Sequence, residues 1–396
     1  MQPLKGMRVV DFGQGVAGPY CAMLLGDFGA DVIKVEPFRG DWSRSMGSQV
    51  TATDTTTYLS VNRNKRSIRL DLSKPTGRRV AQALVARGDV LVESFRPGVM
   101  DRMGLGFDAV QAERPKLIYC SVTGYGPDGP YADAPAGDST MQAVGGLMSI
   151  IGEAERTPLR VGNVVSDMLA GMHAFEAVLL ATLERGITGK GGRAQVSLFD
   201  TILAFQAPPL TEFLMTGQQP QRTGNSHPLL SPSGTVKVTD GLVTFTVLQH
   251  QWDSFCSFLG SPELAADPRF ATNDARVANR PALMEIVQSR FSDCDTDTAI
   301  ARMRAADVLC APVNSYPDIA EDPQVLHNRI LRRVAHRTLG EVPIVANPIH
   351  LSGDTRTPSA PPGLGEHSRE ILTYDLNMRA EEIDRLIGEG AVGEAA

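Results

Sequence analysis

Cysteine is scarce in this 396-residue chain, with Cys21, Cys120, Cys256, Cys294 and Cys310 the only five. They are odd in number, far apart and never spaced Cys-x-x-Cys. That excludes a disulfide framework and a cysteine metal site, and it points to a reducing, cytoplasmic setting. The histidines are scattered and show no His-x-x-x-His or His-x-Glu spacing, so no metal centre is expected. No Gly-x-Ser-x-Gly elbow marks a triad hydrolase. Positive charge is short as well: a net charge of -7 leaves no global basic field to attract nucleic acid or an acidic membrane surface. Apolar runs such as residues 177–183 fall far below bilayer length, and no signal-peptide pattern precedes the first strand-like segment. With 42% hydrophobic residues over this length, the expectation is a soluble enzyme of more than one domain.

What is present alternates. An apolar run at 7–12 stops at a glycine-rich turn, a helical stretch follows from about 20 to 28, and Asp31 to Glu36 reads as a second strand. Further strands are expected at 66–72, 89–93, 117–122 and 194–198, with an amphipathic helix at 77–87. The alternation predicts an α/β domain with a largely parallel sheet. Residues 124–166 are rich in Gly, Pro, Asp and Ser, the texture of a functional loop. At Gly217 the texture changes to a polar, proline-rich linker, and Asp240-Gly241 between alternating runs predicts a hairpin. The predicted division is a large domain over 1–216, a linker over 217–232 and a small α+β domain over 233–320. Residues 321–396 return to the large domain.

Three motifs carry candidate chemistry. Gly13, Gly15 and Gly18 fit Gly-x-Gly-x-x-Gly between strand and helix, with Glu36 closing the next strand. That arrangement lays a pyrophosphate on a helix N-terminus and admits a nicotinamide-dependent oxidoreductase as a rival reading. Arg63, Lys65, Arg66 and Arg69, with Arg96 and Arg102 further on, read either as a solvated face or as contacts for a ligand with several phosphates. Asp167 opens an apolar stripe of Leu169, Met172, Phe175, Val178, Leu179 and Leu183. A helix N-terminus keeps a carboxylate ionised, so Asp167 is either an N-cap or a nucleophile toward an activated acyl group.

These residues add up to a pattern. The chain resembles the family III CoA-transferases over almost its whole length. The resemblance is carried by Pro3-Leu4-x-Gly6, Ala17-Gly18-Pro19, Gly29 to Glu36, Gly40-Asp41, Asn64 to Ser67, Leu70-Asp71-Leu72, Arg96-Pro97-Gly98, Gly124 to Pro130 and Thr188 to Gly191. It implies a Rossmann-like large domain and a smaller α+β domain in a homodimer of interlocked rings, each active site lying between one chain and its partner. It implies Asp167 as the nucleophile that forms covalent aspartyl intermediates, and Asp138 as a second catalytic candidate. The implied CoA contacts are Val16, Ala17, Leu70, Asp71, Leu72, Ser73, Ser94, Phe95, Arg96, Arg102, Pro135, Ala136 and Gly137. No tightly bound cofactor is implied, only a CoA thioester as co-substrate and a free carboxylic acid as acceptor.

Departures refine the expectation. The racemase branch of the family carries a histidine where Asp138 stands in Ala136-Gly137-Asp138-Ser139, so this chain lacks that branch's usual base. The tetraglycine loop of formyl-CoA transferase is replaced by Gly224-Asn225-Ser226-His227-Pro228. The reading is a CoA-transferase with a small dicarboxylyl-CoA donor such as succinyl-CoA. Arg222 and His227 stand as candidates for a second carboxylate or as plain linker residues, and Gly145-Gly146 as candidate backbone donors. An acyl-CoA racemase, a dehydrogenase and a non-catalytic CoA-binding relative remain as alternatives.

Overall fold

The computed structural model describes residues 2–352 and 357–395. The chain forms two compact units. One comprises Met1–Gly145, Gly162–Ala207 and Leu326–Ala396, the other Gly146–Val161 and Pro208–Val325.

The first unit is built on β1 (Arg8–Asp11), β2 (Asp31–Glu36), β3 (Lys65–Leu70), β4 (Val90–Glu93), β5 (Ile118–Thr123) and β6 (Gly192–Ser197). These six pair in parallel in the order β3-β2-β1-β4-β5-β6. Val392–Gly393 adds an antiparallel edge strand against β3, which makes the sheet seven-stranded. Successive strand residues point to opposite faces, so a parallel strand covered on both sides is apolar at every position. Accordingly Val9, Val32, Val90 and Ile118 enter one core with Cys21, Ala170 and Phe175. Their neighbours Val10, Ile33, Leu91 and Tyr119 enter the other, with Val80, Leu372 and Ile383. The helices Ala17–Asp27 and Val165–Thr188 cover the first face, and Pro75–Val85 and Ala380–Gly388 the second.

The long Val165–Thr188 helix buries only part of the stripe read in the sequence, Phe175 and Val178, and shifts the buried face toward its small residues. Its buried residues are Ser166, Ala170, Gly171, Ala174, Phe175 and Val178, whereas Met172 and Leu183 are exposed. A helix apolar almost all round lets the packing distance choose the face. Here the small face wins because the Ala17–Asp27 helix comes so close that a Cβ on Gly171 would lie 2.7 Å from the Ala17 carbonyl oxygen.

The second unit holds the expected hairpin, Ser233–Lys237 with Leu242–Thr246, extended by Leu309–Pro312. Its core gathers Val236, Phe245, Trp252, Phe255, Leu283 and Phe291. Residues 146–161, which the sequence division left in the large domain, belong to this unit. The Gly224 N–H donates to the Gly152 carbonyl at 2.9 Å, and Arg222 donates to the carbonyls of Glu153, Ala154 and Arg156. The boundary also falls at Pro208 instead of Gly217. The helix Ala207–Thr216 that spans it has no buried residue.

Candidate active site

Strand order reverses between β1 and β4, since the chain leaves β1 toward β2 and leaves β4 toward β5. Open α/β sheets bind ligands in the crevice outside the carboxyl ends of such strands. The loop after β1 is fixed there atom by atom. Gly13 N–H donates to Asp11 Oδ1 at 2.8 Å, Gln14 N–H to Ser94 Oγ at 3.0 Å and Gly15 N–H to Asp41 Oδ1 at 2.8 Å. From beneath, the fully buried Lys34 Nζ donates to the Gly13 carbonyl at 2.8 Å and pairs with Asp41 Oδ2 at 2.8 Å. Lys65 Nζ pairs with Asp11 Oδ2 at 2.9 Å. Gly15 has φ +79°, and a Cβ there would meet the Trp42 indole at 2.0 Å, so both backbone and space demand glycine.

This arrangement corrects two readings. The basic run is not a phosphate site: Lys65 is buried and its ammonium is pulled down to about 8 by burial. Arg63 forks onto Asp27, Arg66 onto Asp31 and Asp375, and Arg69 donates to the Phe38 carbonyl. Glu36 cannot hold a ribose, because it is buried under a two-pronged bond from Arg44 and a 2.7 Å bond from Ser67 Oγ. The oxidoreductase reading loses its acidic anchor.

Asp167 lies in the first turn of the Val165–Thr188 helix. It is not the cap: Val164 occupies that position and gives no side-chain bond. The capping is done from outside by Asp138, whose Oδ1 accepts from both the N–H and the Oγ of Ser166 at 2.9 Å. Its Oδ2 accepts from Gln142 Nε2 at 2.7 Å. Asp138 therefore holds the helix start, while among the described residues Asp167 has no hydrogen bond or ion pair. Burial, and then the charge of Asp138, push the Asp167 carboxyl up to about 7. The direction is opposite to the lowering that a helix terminus by itself would give.

The other sequence-selected residues follow the carboxyl ends of the parallel strands. The side chains of Val16 and Ala17 are buried. The Leu70 side chain is fully buried in the core, and its backbone pairs with Val392 at the sheet edge. Asp71 accepts from Ser73 N–H and Oγ, folding the 71–73 turn on itself. Phe95 packs against the second core, its N–H on Glu93. Arg96 and Arg102 are exposed and, among the described residues, their guanidinium groups have no hydrogen-bond or ion-pair partner. Pro135, Ala136 and Gly137 are exposed next to Asp138, where a Cβ on Gly124 would meet that of Ala136 at 2.3 Å. Gly145 is no backbone donor, since its N–H closes the preceding helix on the Met141 carbonyl. Arg222 is pinned to carbonyls, and His227 Nδ1 accepts from Leu229 N–H at 3.1 Å. Sequence reasoning missed Trp42, Ser166 and Gln142. The last had a signal, its i,i+4 spacing from Asp138. Among the described residues no group of His, Cys, Asp or Glu is placed to hold a metal ion, and no helix is long and apolar enough to cross a membrane.

A crevice at the strand reversal, with a paired and an unpaired carboxylate at one helix start, suits acyl transfer. The chain belongs to CoA-transferase family III, whose profile matches residues 4–368, and it is a CoA-transferase. It is 35% identical over 395 residues to succinyl-CoA:glutarate CoA-transferase of Mus musculus, covering 99% of this chain and 91% of that one. It is 34% identical over 379 residues to succinate–glutarate CoA-transferase of Agrobacterium fabrum, covering 93% and 95%. The crystal structure of a CaiB/BaiF family protein from Brucella suis superposes with a TM-score of 0.85 at 35% identity, over 93% of this chain and 98% of that one.

Proposed function

We propose that the enzyme moves CoA from a dicarboxylyl-CoA such as succinyl-CoA to a second free dicarboxylic acid such as glutarate, through covalent intermediates on Asp167. The names of the similar transferases support the substrate class. The observation that carries the chemistry is the contrast between Asp138, fully engaged in hydrogen bonds, and Asp167, which has none. In the proposed reaction an Asp167 oxygen attacks the thioester carbonyl and CoA leaves as thiolate, giving a mixed anhydride. The thiolate attacks the aspartyl carbonyl and releases the donor acid. The acceptor carboxylate then attacks the aspartyl thioester, and the returning thiolate frees Asp167 and carries the new acyl group away. A carboxylate made more basic by burial is a stronger nucleophile in each attack it makes. Asp138 acts as a positioning residue, and Arg96, Arg102 and the 135–137 turn are the exposed CoA contacts.

Brief incubation with succinyl-CoA followed by hydroxylamine and intact-mass measurement tests this. A modification mapping to Asp167, absent from Asp167→Asn, is expected. An unmodified wild type that still exchanges the acyl α-proton with solvent would instead make the protein a racemase.

The titration gives a second check. Only ionised Asp167 attacks, so kcat/KM falls below a pH near 7. In Asp138→Asn the neighbouring charge is gone while an amide oxygen still accepts from Ser166. The acid limb is expected to move to lower pH, and an unmoved limb would assign it to another group.

The active form is proposed to be a homodimer in a reducing, cytoplasmic compartment. Leu180, Leu183 and Ile187 stand exposed on the Val165–Thr188 helix, an apolar stripe suited to a second copy. The five cysteines are free.

A further inference from the structure

The proposed CoA contacts leave a gap in the middle. They lie after β3 (71–73), after β1 (Val16, Ala17) and after β4 (94–96), yet in the sheet β2 stands between β3 and β1. Strands sit about 4.8 Å apart, so a ligand touching the ends of both β3 and β1 crosses about 10 Å over the end of β2. The chain that rises there is Pro37 to Ser45. Phe38 is tied to β3 by its carbonyl, which accepts from Arg69, and by its ring beneath the Arg69 guanidinium. Next comes Trp42, which remains 49% exposed although it is one of only two tryptophans in the chain.

Trp42 is held rigidly. Asp41, just before it, is buried and bonded to Lys34, to Gly15 N–H and to Ser43 N–H. Its indole lies against Gly15, closer than any side chain at that position would allow. Gly15 is two residues from Ala17, at most about 7 Å along the chain. Ala17 in turn packs on Gly171, one helical turn or about 6 Å beyond Asp167 and on the same face.

We infer that Trp42 is a substrate-binding residue whose exposed indole face carries the pantetheine arm of the acyl-CoA between the adenosine end and the thioester. This rests on the reading of the crevice as the CoA site. The arm is methylene chain and gem-dimethyl group interrupted by amides, which matches a flat apolar platform with a polar edge. The chain of contacts from Trp42 through Gly15, Ala17 and Gly171 leads to the helix start that carries Asp167, and this selects the arm over the adenine.

The two tryptophans make the test direct, because Trp252 is buried in the other unit and serves as an internal reference. CoA added to the wild-type protein is expected to shift tryptophan emission to the blue as Trp42 is covered. Trp42→Phe, lit by Trp252 alone, is expected to show no shift. Displacing CoA with adenosine 3′,5′-bisphosphate, which lacks the arm, is expected to reverse the shift. Trp42→Ala is expected to raise KM for succinyl-CoA roughly tenfold, the scale of losing half an aromatic contact, with kcat little changed. Calorimetry with CoA separates the two levels of inference. CoA that binds the wild type without a shift, or a bisphosphate that produces the same shift by itself, overturns the role of Trp42. Failure of CoA to bind the wild type overturns the crevice as the CoA site.

Discussion

Asp167→Asn is expected to abolish CoA transfer, by on the order of 10⁴-fold or more in kcat, and at the same time to make the protein more stable above neutral pH. The two effects share one cause. The carboxyl at 167 has its pKa raised from 3.8 to about 7, so the folded chain holds this proton more tightly than the unfolded chain does. Stability from the protonated group is complete below pH 3.8 and is lost as pH rises through 7. About three pH units correspond to roughly 4 kcal/mol, and partial exposure of the residue reduces this to about 2 kcal/mol. The amide does not ionise and escapes the loss. Urea unfolding of both proteins is expected to show a gap that is small near pH 5 and widens to about 2 kcal/mol at pH 8. A constant gap would mean that Asp167 is not strained by its charge in the folded chain.

The second large effect is at Lys34. Replacing it with methionine keeps the apolar stem but removes the cation between Asp41 and Asp11, both fully shielded from solvent, and the donor to the Gly13 carbonyl. Breaking one side of a buried ion pair costs about 3–5 kcal/mol, since the remaining carboxylate stays uncompensated. Lys34→Met is therefore expected to lower the unfolding free energy from urea titration by that amount and to weaken CoA binding, because the loop over β1 loses its anchor. Adding Asp41→Asn to Lys34→Met is expected to recover part of the stability, the signature of direct coupling. An additive double mutant would remove the cation from the loop's support.

The sequence disclosed the parts of the fold governed by local pattern. The central strands were legible because parallel strands covered on both faces are apolar throughout, and the second unit's hairpin because Asp240-Gly241 punctuates two alternating runs. The hairpin of Leu331–His336 with Gly340–Val345 was not, since its pattern is broken by arginines and a proline. Charge was the least legible. Arg63, Lys65 and Arg66 look like a ligand-binding run because their partners Asp27, Asp11, Asp31 and Asp375 lie elsewhere in the chain. Asp167 was singled out by its place in a family pattern. That Asp138 takes over the capping, leaving Asp167 unbonded, depends on a loop folding back over 28 residues. Trp42 gave no signal of its own, as its role follows from a glycine far from it in sequence.

The edge strand Val392–Gly393 pairs with β3, and Ile371, Leu372, Ile383 and Leu386 fill the same core as Ile68 and Leu70. One face of the sheet is thus completed by a part of the chain made after the whole second unit. The amino-terminal strands must wait, with the edge of β3 unpaired and one face only partly covered by the Pro75–Val85 helix, while the whole second unit is synthesised. At 5–20 residues per second that wait is on the order of ten seconds or more. The nascent enzyme is a natural client for chaperones, and a stalled or truncated transcript would yield an aggregating half-sheet instead of a smaller working domain.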